Sequence, residues 1–320
     1  MIETMGRYDV IIVGGGPAGL CAAMYAGRGR LKTLLIERGM PGGELLNTEV
    51  IEDYIGFEHI LGRELAEKMT KHAQKFGAEF VTDTVSAVER EADGGFVVHT
   101  ELERTFRAPS VIVTAGGTPN KLNVPGEKEY AGRGVSYCAV CDGAFFKDEV
   151  LAVVGGGDAA VEEADYLTRY ASKVYIVHRR DELRASAILQ QRARNNPKIA
   201  FVWNKVVEEI EGEARGVTQL RLRDTVGDEV SRLPVGGVFI FVGFRPNTGV
   251  IKEHFDHDAQ GYIRTDTSMM TSIPGLFAAG DVRVQLTRQI TTAVGDGTTA
   301  AIAVEKYLAG RREQAAVGTR

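Results

Sequence analysis

The strongest constraint on how this 320-residue chain folds is a glycine turn that it uses twice. Tyr8 to Val13 is a β-branched strand running into Gly14-Gly-Gly-Pro-Ala-Gly19, followed by an Ala-rich helical pattern from Leu20 to Gly27. A second strand, Lys32 to Ile36, ends at Glu37. Strand, glycine turn, helix and strand, with Gly14-x-Gly16-x-x-Gly19 at the turn, is the arrangement that holds a dinucleotide. The first glycine makes the tight turn, the second admits a pyrophosphate against the backbone, and the third lets helix and strand pack closely. The helix N-terminus adds N–H donors and the positive end of a dipole. A shift of 141 positions carries Gly14 onto Gly155, Gly16 onto Gly157, Ala18 onto Ala159 and Tyr25 onto Tyr166. The second unit runs Val150 to Val154, Gly155-Gly-Gly-Asp-Ala-Ala160, Val161 to Tyr170 as helix, and Lys173 to Val177. The fold expected is α/β, with two Rossmann-like dinucleotide-binding domains and two nucleotides side by side.

The two units differ where chemistry requires it. The first closes on Glu37, a carboxylate suited to a ribose 2′-OH and repelled by a 2′-phosphate. The second closes on His178-Arg-Arg-Asp-Glu-Leu-Arg184, whose three guanidiniums and imidazole suit a 2′-phosphate. Its third glycine has become Ala160, which the fingerprint allows. The first unit is therefore assigned an unphosphorylated adenosine, as in FAD, and the second NADPH.

Between and after these units the pattern alternates. A polar loop covers Gly42 to Leu45 and Thr48 to Gly56, and Arg63 to Phe76 has the periodicity of an amphipathic helix. Val85 to Arg90, Gly95 to Thr100 and Thr105 to Ala108 predict a β-meander laid across the sheet, and Ser110 to Thr114 a further buried strand. A similar sheet recurs from Val202 through Glu209 and from Gln219 to Asp224, followed by a strand at Val238 to Val242. Gly275 to Asp281 reads as a strand with a carboxylate at its tip; Thr287 to Gly297 comes next, and the apolar run after it reads as a helix to about Leu308, with Arg311 to Arg320 frayed. The simplest assembly inserts the second unit into the first. Its crossings fall at Gly116 to Pro125 and Phe244 to Thr248, giving a FAD domain of residues 1–117 and 248–320 and an NADPH domain of 118–247.

Composition narrows the classes. A formal net charge of −5 argues against a nucleic-acid binder, and no apolar run approaches the roughly 18–20 residues of a membrane span. The polar start, Met1 to Arg7, predicts no signal peptide. Three cysteines are too few for a disulfide framework, which points to an intracellular setting. Two of the three form Cys138-Ala-Val-Cys141, with Asp142 next. That spacing admits a redox dithiol, half of a zinc site, or chance. Zinc needs two more ligands, yet there is no second Cys-x-x-Cys, Cys21 lies in the first helix, and the six histidines show no paired spacing.

With these motifs in order, the chain resembles the bacterial-type, low-molecular-weight thioredoxin reductases, which are flavoprotein disulfide reductases. The resemblance is carried by Cys138-Ala-Val-Cys-Asp-Gly-Ala-Phe-Phe146 placed just before the second glycine turn, by His178-Arg-Arg with Arg184, by Ala278-Ala-Gly-Asp281 and by Arg288-Gln289. It implies one FAD per subunit, NADPH as donor, oxidised thioredoxin as acceptor, and a cytoplasmic homodimer. Residue by residue, it implies that Gly14, Gly16, Pro17, Ala18 and Gly19 hold the FAD pyrophosphate. Glu37, Arg38, Gly42, Gly43, Glu44, Leu45, Asp53 and Val85 would follow the adenosine side toward the flavin. Gly280 and Asp281 would take the ribityl–pyrophosphate region, and Arg288, Gln289 and Ile290 the isoalloxazine ring. Gly155, Gly157, Asp158, Ala159, His178, Arg179, Arg180 and Arg184 would hold NADPH. Cys141 would be the cysteine nearer the flavin, Cys138 its partner, and Asp142 the acid–base group.

The chain departs from the family pattern at Asp53, where Asn is usual, at Ile55 in place of Pro, at Glu44 in place of Gln, and at Ala115-Gly-Gly117 in place of Thr-Gly-Ala. An ionised Asp only accepts hydrogen bonds whereas Asn also donates, so the contacts of that loop with the flavin are altered. The resemblance also implies that the NADPH domain rotates, presenting nicotinamide and dithiol to the flavin in turn. Rival classes fit less well. NADPH–ferredoxin or flavodoxin reductases lack the dithiol, flavoproteins using oxygen or ferredoxin in place of NADPH lack the basic cluster, and a redox sensor would show no sustained turnover.

Overall fold

The computed structural model describes residues 3–47, 50–51 and 54–317. The chain divides into two compact units, Met1–Thr118 with Arg245–Arg320, and Pro119–Phe244. Each is built on a five-stranded parallel sheet with a smaller, mainly antiparallel sheet beside it.

In the first unit the sheet runs in the order Leu276–Ala278, Val111–Val113, Val10–Val13, Thr33–Glu37, Glu79–Thr82. Its registers pair Ile11 with both Val111 and Leu34, and Val111 with Leu276. Successive side chains on a strand point to opposite faces, and here both faces are buried, hence the near-continuous apolar runs. Ile11, Val13, Leu34 and Ile36 join Val85, Val88, Phe96, Val98 and Phe106 on one side. Val10, Ile12, Leu35 and Phe277 pack on the other side with Leu20, Ala22, Ala301 and Val304. These last belong to the helices Pro17–Arg28 and Ile290–Val317. Phe96 and Phe106 are each 1% exposed, and a buried ring of this kind is worth about 3–5 kcal/mol against Ala.

The predicted meander is present as Val85–Arg90, Phe96–Thr100 and Arg104–Ala108, antiparallel in sequence. Glu3–Arg7 adds a fourth strand, parallel to Arg104–Ala108, that the polar start gave no reason to expect. The edge strand Glu79–Thr82 was also not anticipated: it pairs on one side only and carries no buried residue.

The C-terminal segment differs from expectation. The helix expected after Gly297 begins earlier, at Ile290, and continues to Val317, past Arg311 where fraying was expected to start. Gly297 is there for packing, because a Cβ would run into the carbonyl oxygen of Ala18 on the helix that crosses it. Gly297→Ala is accordingly expected to cost about 1–3 kcal/mol, the range for overpacking a close contact. Denaturant unfolding of purified protein measures it, and a loss under 0.5 kcal/mol would show that the helices separate freely.

The second unit repeats the plan. Its sheet runs Val135–Ser136, Gly237–Phe241, Val150–Gly155, Lys173–Val177, Ile199–Val202, all parallel. Leu151, Val153 and Phe239 face Ala160, Val161, Ala164 and Leu167 of the helix Asp158–Leu167. Ala152, Val154, Val238 and Ile240 face Val207, Leu220 and Leu222 of an antiparallel sheet formed by Lys205–Glu213, Gly216–Asp224 and Val230–Pro234. The two crossings between units pair as a ribbon, Gly117–Pro119 with Phe244–Pro246. Asn247 Nδ2 donates to the Ala115 carbonyl at 2.8 Å, and Thr118 Oγ1 donates to Asn247 Oδ1 at 2.8 Å. No helix of the described residues is long and apolar enough to cross a membrane.

Candidate functional site

The first glycine turn leaves the strand Val10–Val13 and enters the helix at Pro17, whose missing N–H costs nothing at a first helical position. Gly14 has φ +107°, and a Cβ there would lie 2.6 Å from the Thr114 carbonyl oxygen. Gly155 has φ +155° and would meet the Phe241 carbonyl oxygen at 2.5 Å. In both units, then, the first glycine is fixed by the strand that follows in the sheet. The second glycine is different. A Cβ on Gly16 would meet only the Gly43 Cα, at 3.9 Å, and one on Gly157 would meet nothing. Each turn thus leaves open backbone in front of a helix N-terminus, which is the cradle a pyrophosphate needs.

At the end of Thr33–Glu37, the Glu37 carboxylate accepts from Gly15 N–H at 2.6 Å and from Gly39 N–H at 3.2 Å. Arg38 beside it is exposed. Gly42 N–H donates to the Gly15 carbonyl at 2.8 Å, which holds the following turn Gly43–Asn47 against Gly16. In that turn Glu44 is exposed and Leu45 buried. Val85 is buried at the start of the meander. Asp53 lies outside the described residues.

The strand Leu276–Ala278 delivers Gly280 and Asp281 to the same end of the sheet. Burial pushes the Asp281 carboxyl up, Arg288 opposes that, and the charges of Glu44 and Asp296 add to it. Side chains from three separate stretches are therefore in electrostatic reach of one another. Arg288 lies over the Tyr262 ring, 4.0 Å from its centroid, while Gln289 is exposed and Ile290 opens the long helix. Sequence reading missed Asp296. It accepts from Gly280 N–H at 3.1 Å and pairs with Arg283 at 3.1 Å, so it fixes the strand tip. Standing between Gly295 and Gly297, it belongs to no motif of its own in the sequence.

In the second unit Asp158 opens the helix and accepts from Ser186 N–H at 2.6 Å, while Arg184 N–H donates to the Gly156 carbonyl at 2.7 Å. The basic segment is thereby strapped to the glycine turn, with Ala159 exposed next to it. Arg179, Arg180 and Arg184 are exposed, and none forms an ion pair among the described residues. His178 is 5% exposed, its ring lies against Gly156, and its Nε2 has no hydrogen-bond partner. Burial, then the charges of Arg184, Arg179 and Arg180, hold its pKa below the usual imidazole value. Three unneutralised guanidiniums and an orphaned imidazole nitrogen are what a phosphate dianion would satisfy.

Cys138 is half-buried and disulfide-bonded, whereas Cys21 is free, buried and 3.2 Å from Thr298 Oγ1. Ser136 Oγ accepts from Cys138 N–H at 3.0 Å and donates to the Cys138 carbonyl at 3.1 Å. The short helix Ala139–Asp142 follows, and Asp142 N–H donates back to the Cys138 carbonyl at 3.2 Å. The Cys141 side chain lies outside what the structure describes. Asp142 precedes the turn Gly143–Phe146, in which Phe146 packs edge-on to Phe239 while Phe145 is 83% exposed. Tyr137, before the motif, donates to Glu127 Oε1 at 2.7 Å, and the same carboxylate takes Leu122 N–H and Asn123 N–H.

A second carboxylate that sequence reading passed over is Glu163, in the helix Asp158–Leu167. Its Oε2 is buried without a partner among the described residues, and burial, with Glu162 adding, pushes its pKa up to about 7. A carboxyl whose folded pKa is raised favours the folded state fully below its unfolded pKa and loses that favour as pH rises through about 7. Glu163→Gln is expected to recover about 3 kcal/mol at pH 8 and little at pH 4, read from denaturant unfolding at the two pH values. Equal gains at both would show the carboxyl to be ordinary.

A family model described as pyridine nucleotide-disulphide oxidoreductase matches residues 8–297. A thioredoxin reductase from Bacillus subtilis is 53% identical over 308 residues, covering 94% of this chain and 95% of that protein. Among solved structures, the thioredoxin reductase of Lactococcus lactis superposes with a TM-score of 0.84 at 47% identity, over 95% of this chain and 99% of that one. That of Streptococcus pyogenes gives 0.71 at 50% identity with the same coverage. The open glycine turns, the unpaired basic cluster and the disulfide are what such a match requires, and the chain belongs to the pyridine nucleotide-disulphide oxidoreductase family.

Proposed function

We propose that the chain is an NADPH-dependent reductase of oxidised thioredoxin, working through FAD and a Cys138–Cys141 disulfide. One observation carries this most: a disulfide-bonded Cys138 shares its unit with a glycine turn and three unpaired guanidiniums. The named relatives support the acceptor.

Gly14, Gly16, Pro17, Ala18 and Gly19 hold the FAD pyrophosphate, and Glu37 takes the ribose hydroxyls. Arg38, Gly42, Gly43, Glu44, Leu45, Asp53 and Val85 complete the adenosine side, and Gly280, Asp281, Arg288, Gln289 and Ile290 the ribityl and ring side. Bound FAD would supply a carrier that takes a hydride and passes an electron pair to sulfur. Gly155, Gly157, Asp158 and Ala159 cradle the NADPH pyrophosphate, with His178, Arg179, Arg180 and Arg184 on its 2′-phosphate. When the pair is reduced, Cys141 takes the electrons and Cys138 leaves as thiolate, with Asp142 holding or releasing the proton. The dithiol then opens the thioredoxin disulfide through a mixed disulfide. Exposed Phe145 beside the motif offers a protein acceptor an apolar contact.

Both the nicotinamide and the dithiol belong to the second unit and must reach the same flavin, so that unit rotates on the ribbon of its two crossings. The enzyme acts as a homodimer in the cytoplasm. An anaerobic NADPH titration that follows flavin absorbance and free thiols, then adds oxidised thioredoxin, tests the assignment. Electrons that stay on the protein when thioredoxin is present would overturn it.

A further inference from the structure

Glu163 has no part in the chemistry above, yet the helix that carries it stands against the redox segment. The helix Ala139–Asp142 packs on the helix Asp158–Leu167. A Cβ added to Gly143, the next residue of that segment, would lie 3.0 Å from Leu167 Cδ2 and 3.3 Å from the Tyr170 ring. Ala139 is buried in one cluster with Ala160, Ala164 and Leu167. Residues three and four apart share a helix face, so Glu163 stands on the face of Leu167, which meets the redox segment at Gly143. Its Oε2 is buried with no hydrogen-bond partner among the described residues.

The geometry points to Glu163 as a positioning residue that holds a proton for the Cys138 dithiol, taking it up when the disulfide is reduced and returning it on reoxidation. The inference rests on the reading that this disulfide cycles. Two electrons originating in NADPH break the S–S bond. One sulfur ends as thiol and the other as thiolate, and the second proton, drawn from solvent, resides on the Glu163 carboxyl. Reoxidation by the acceptor disulfide transfers both electrons and releases both protons.

On its own helix the other carboxylates are Asp158, which accepts from Ser186 N–H, Asp165, which accepts from Asn196 Nδ2, and Glu162. Glu162 on the same helix raises the affinity of Glu163 for a proton. Asp142 on the redox helix, Arg192 and Arg194 on the helix Ala187–Asn195, and Lys173 on the strand Lys173–Val177 belong to elements packed against it, and none of them counters the burial of Glu163. The strands Val150–Gly155 and Gly237–Phe241 contribute no charged residue. At an effective dielectric constant of about 20–40, a thiolate about 10 Å from such a carboxylate couples to it by a factor of about five to twenty in equilibrium. The sign follows: below pH 7 a neutral Glu163 leaves the thiolate unopposed, and above it the carboxylate disfavours reduction.

The test equilibrates the holoenzyme and Glu163→Gln with oxidised and reduced dithiothreitol at pH 6 and pH 8, then traps and counts Cys138 thiols. The buffer's own pH dependence cancels between the two proteins. At pH 6 their reduction constants should agree within about twofold, and at pH 8, one unit above the carboxyl's value of about 7, the parent should be about four- to sevenfold harder to reduce. A structural role alone would shift both redox states equally and leave the ratio independent of pH, which would overturn the proposal. Glu162→Gln keeps the buried carboxyl, so it should keep the pH response and move its midpoint to lower pH; an unmoved midpoint would count against the proposal. Dithiothreitol reads the dithiol directly. Failure here with intact thioredoxin turnover therefore sinks only this inference, and loss of thioredoxin turnover in the parent sinks the function.

Discussion

Cys138→Ser is expected to lower thioredoxin reduction by at least about 10^3-fold while NADPH still bleaches the flavin at close to the parent rate. A serine hydroxyl forms neither a disulfide nor a mixed disulfide, so the relay between flavin and acceptor is cut with no alternative route. The local fold should survive the change. Both Ser136 hydrogen bonds go to the Cys138 backbone, as does the one from Asp142 N–H, and none uses the sulfur. The comparison therefore separates two half-reactions in one variant. Stopped-flow absorbance reports the first and the reduction of thioredoxin's disulfide the second. Retention of more than a tenth of the parent's thioredoxin turnover would mean that electrons leave the flavin by another path.

Much of the architecture was readable because burial on both sheet faces leaves little choice of residue. Val10 to Val13 and Val150 to Val154 must be apolar at every position, and the glycines after them must admit a neighbouring carbonyl. The misreadings have a common cause: one residue type serves two purposes. Glycine ends helices and also lets them touch, so the helix was expected only after Gly297 although Gly295 and Gly297 lie within the helix Ile290–Val317. Glutamate covers solvated faces and is also buried at cost, so Glu163 was passed over although its carboxylate has an enclosed oxygen with no partner among the described residues. Asp296 is a third case, a polar residue in a small-residue stretch whose value lies in Gly280 and Arg283, both distant in sequence. Period and spacing report a residue's own element. They do not report what packs on it.

The basic cluster yields the other large effect. Replacing Arg179 and Arg180 together by Gln should weaken NADPH about a hundredfold and NADH less than about threefold. Hydrogen bonds to charged groups are worth about 1.5–3 kcal/mol each, and the exposure of these side chains places them at the lower end. Two at that value give the hundredfold. NADH lacks the 2′-phosphate and so has nothing to lose. A pH signature accompanies the loss. The free protein holds His178 below the usual imidazole pKa through burial and the charges of Arg184, Arg179 and Arg180. A bound phosphate dianion reverses that balance and raises it, so NADPH binding takes up a proton and should tighten as pH falls toward the free-protein value, while NADH binding should not. In the double variant two of the repelling charges are gone, His178 titrates nearer its ordinary value, and the window moves to higher pH. Titration calorimetry in two buffers of different ionisation enthalpy measures the proton uptake directly. Equal loss of NADPH and NADH affinity, or NADPH binding without proton uptake, would refute the 2′-phosphate role of this cluster.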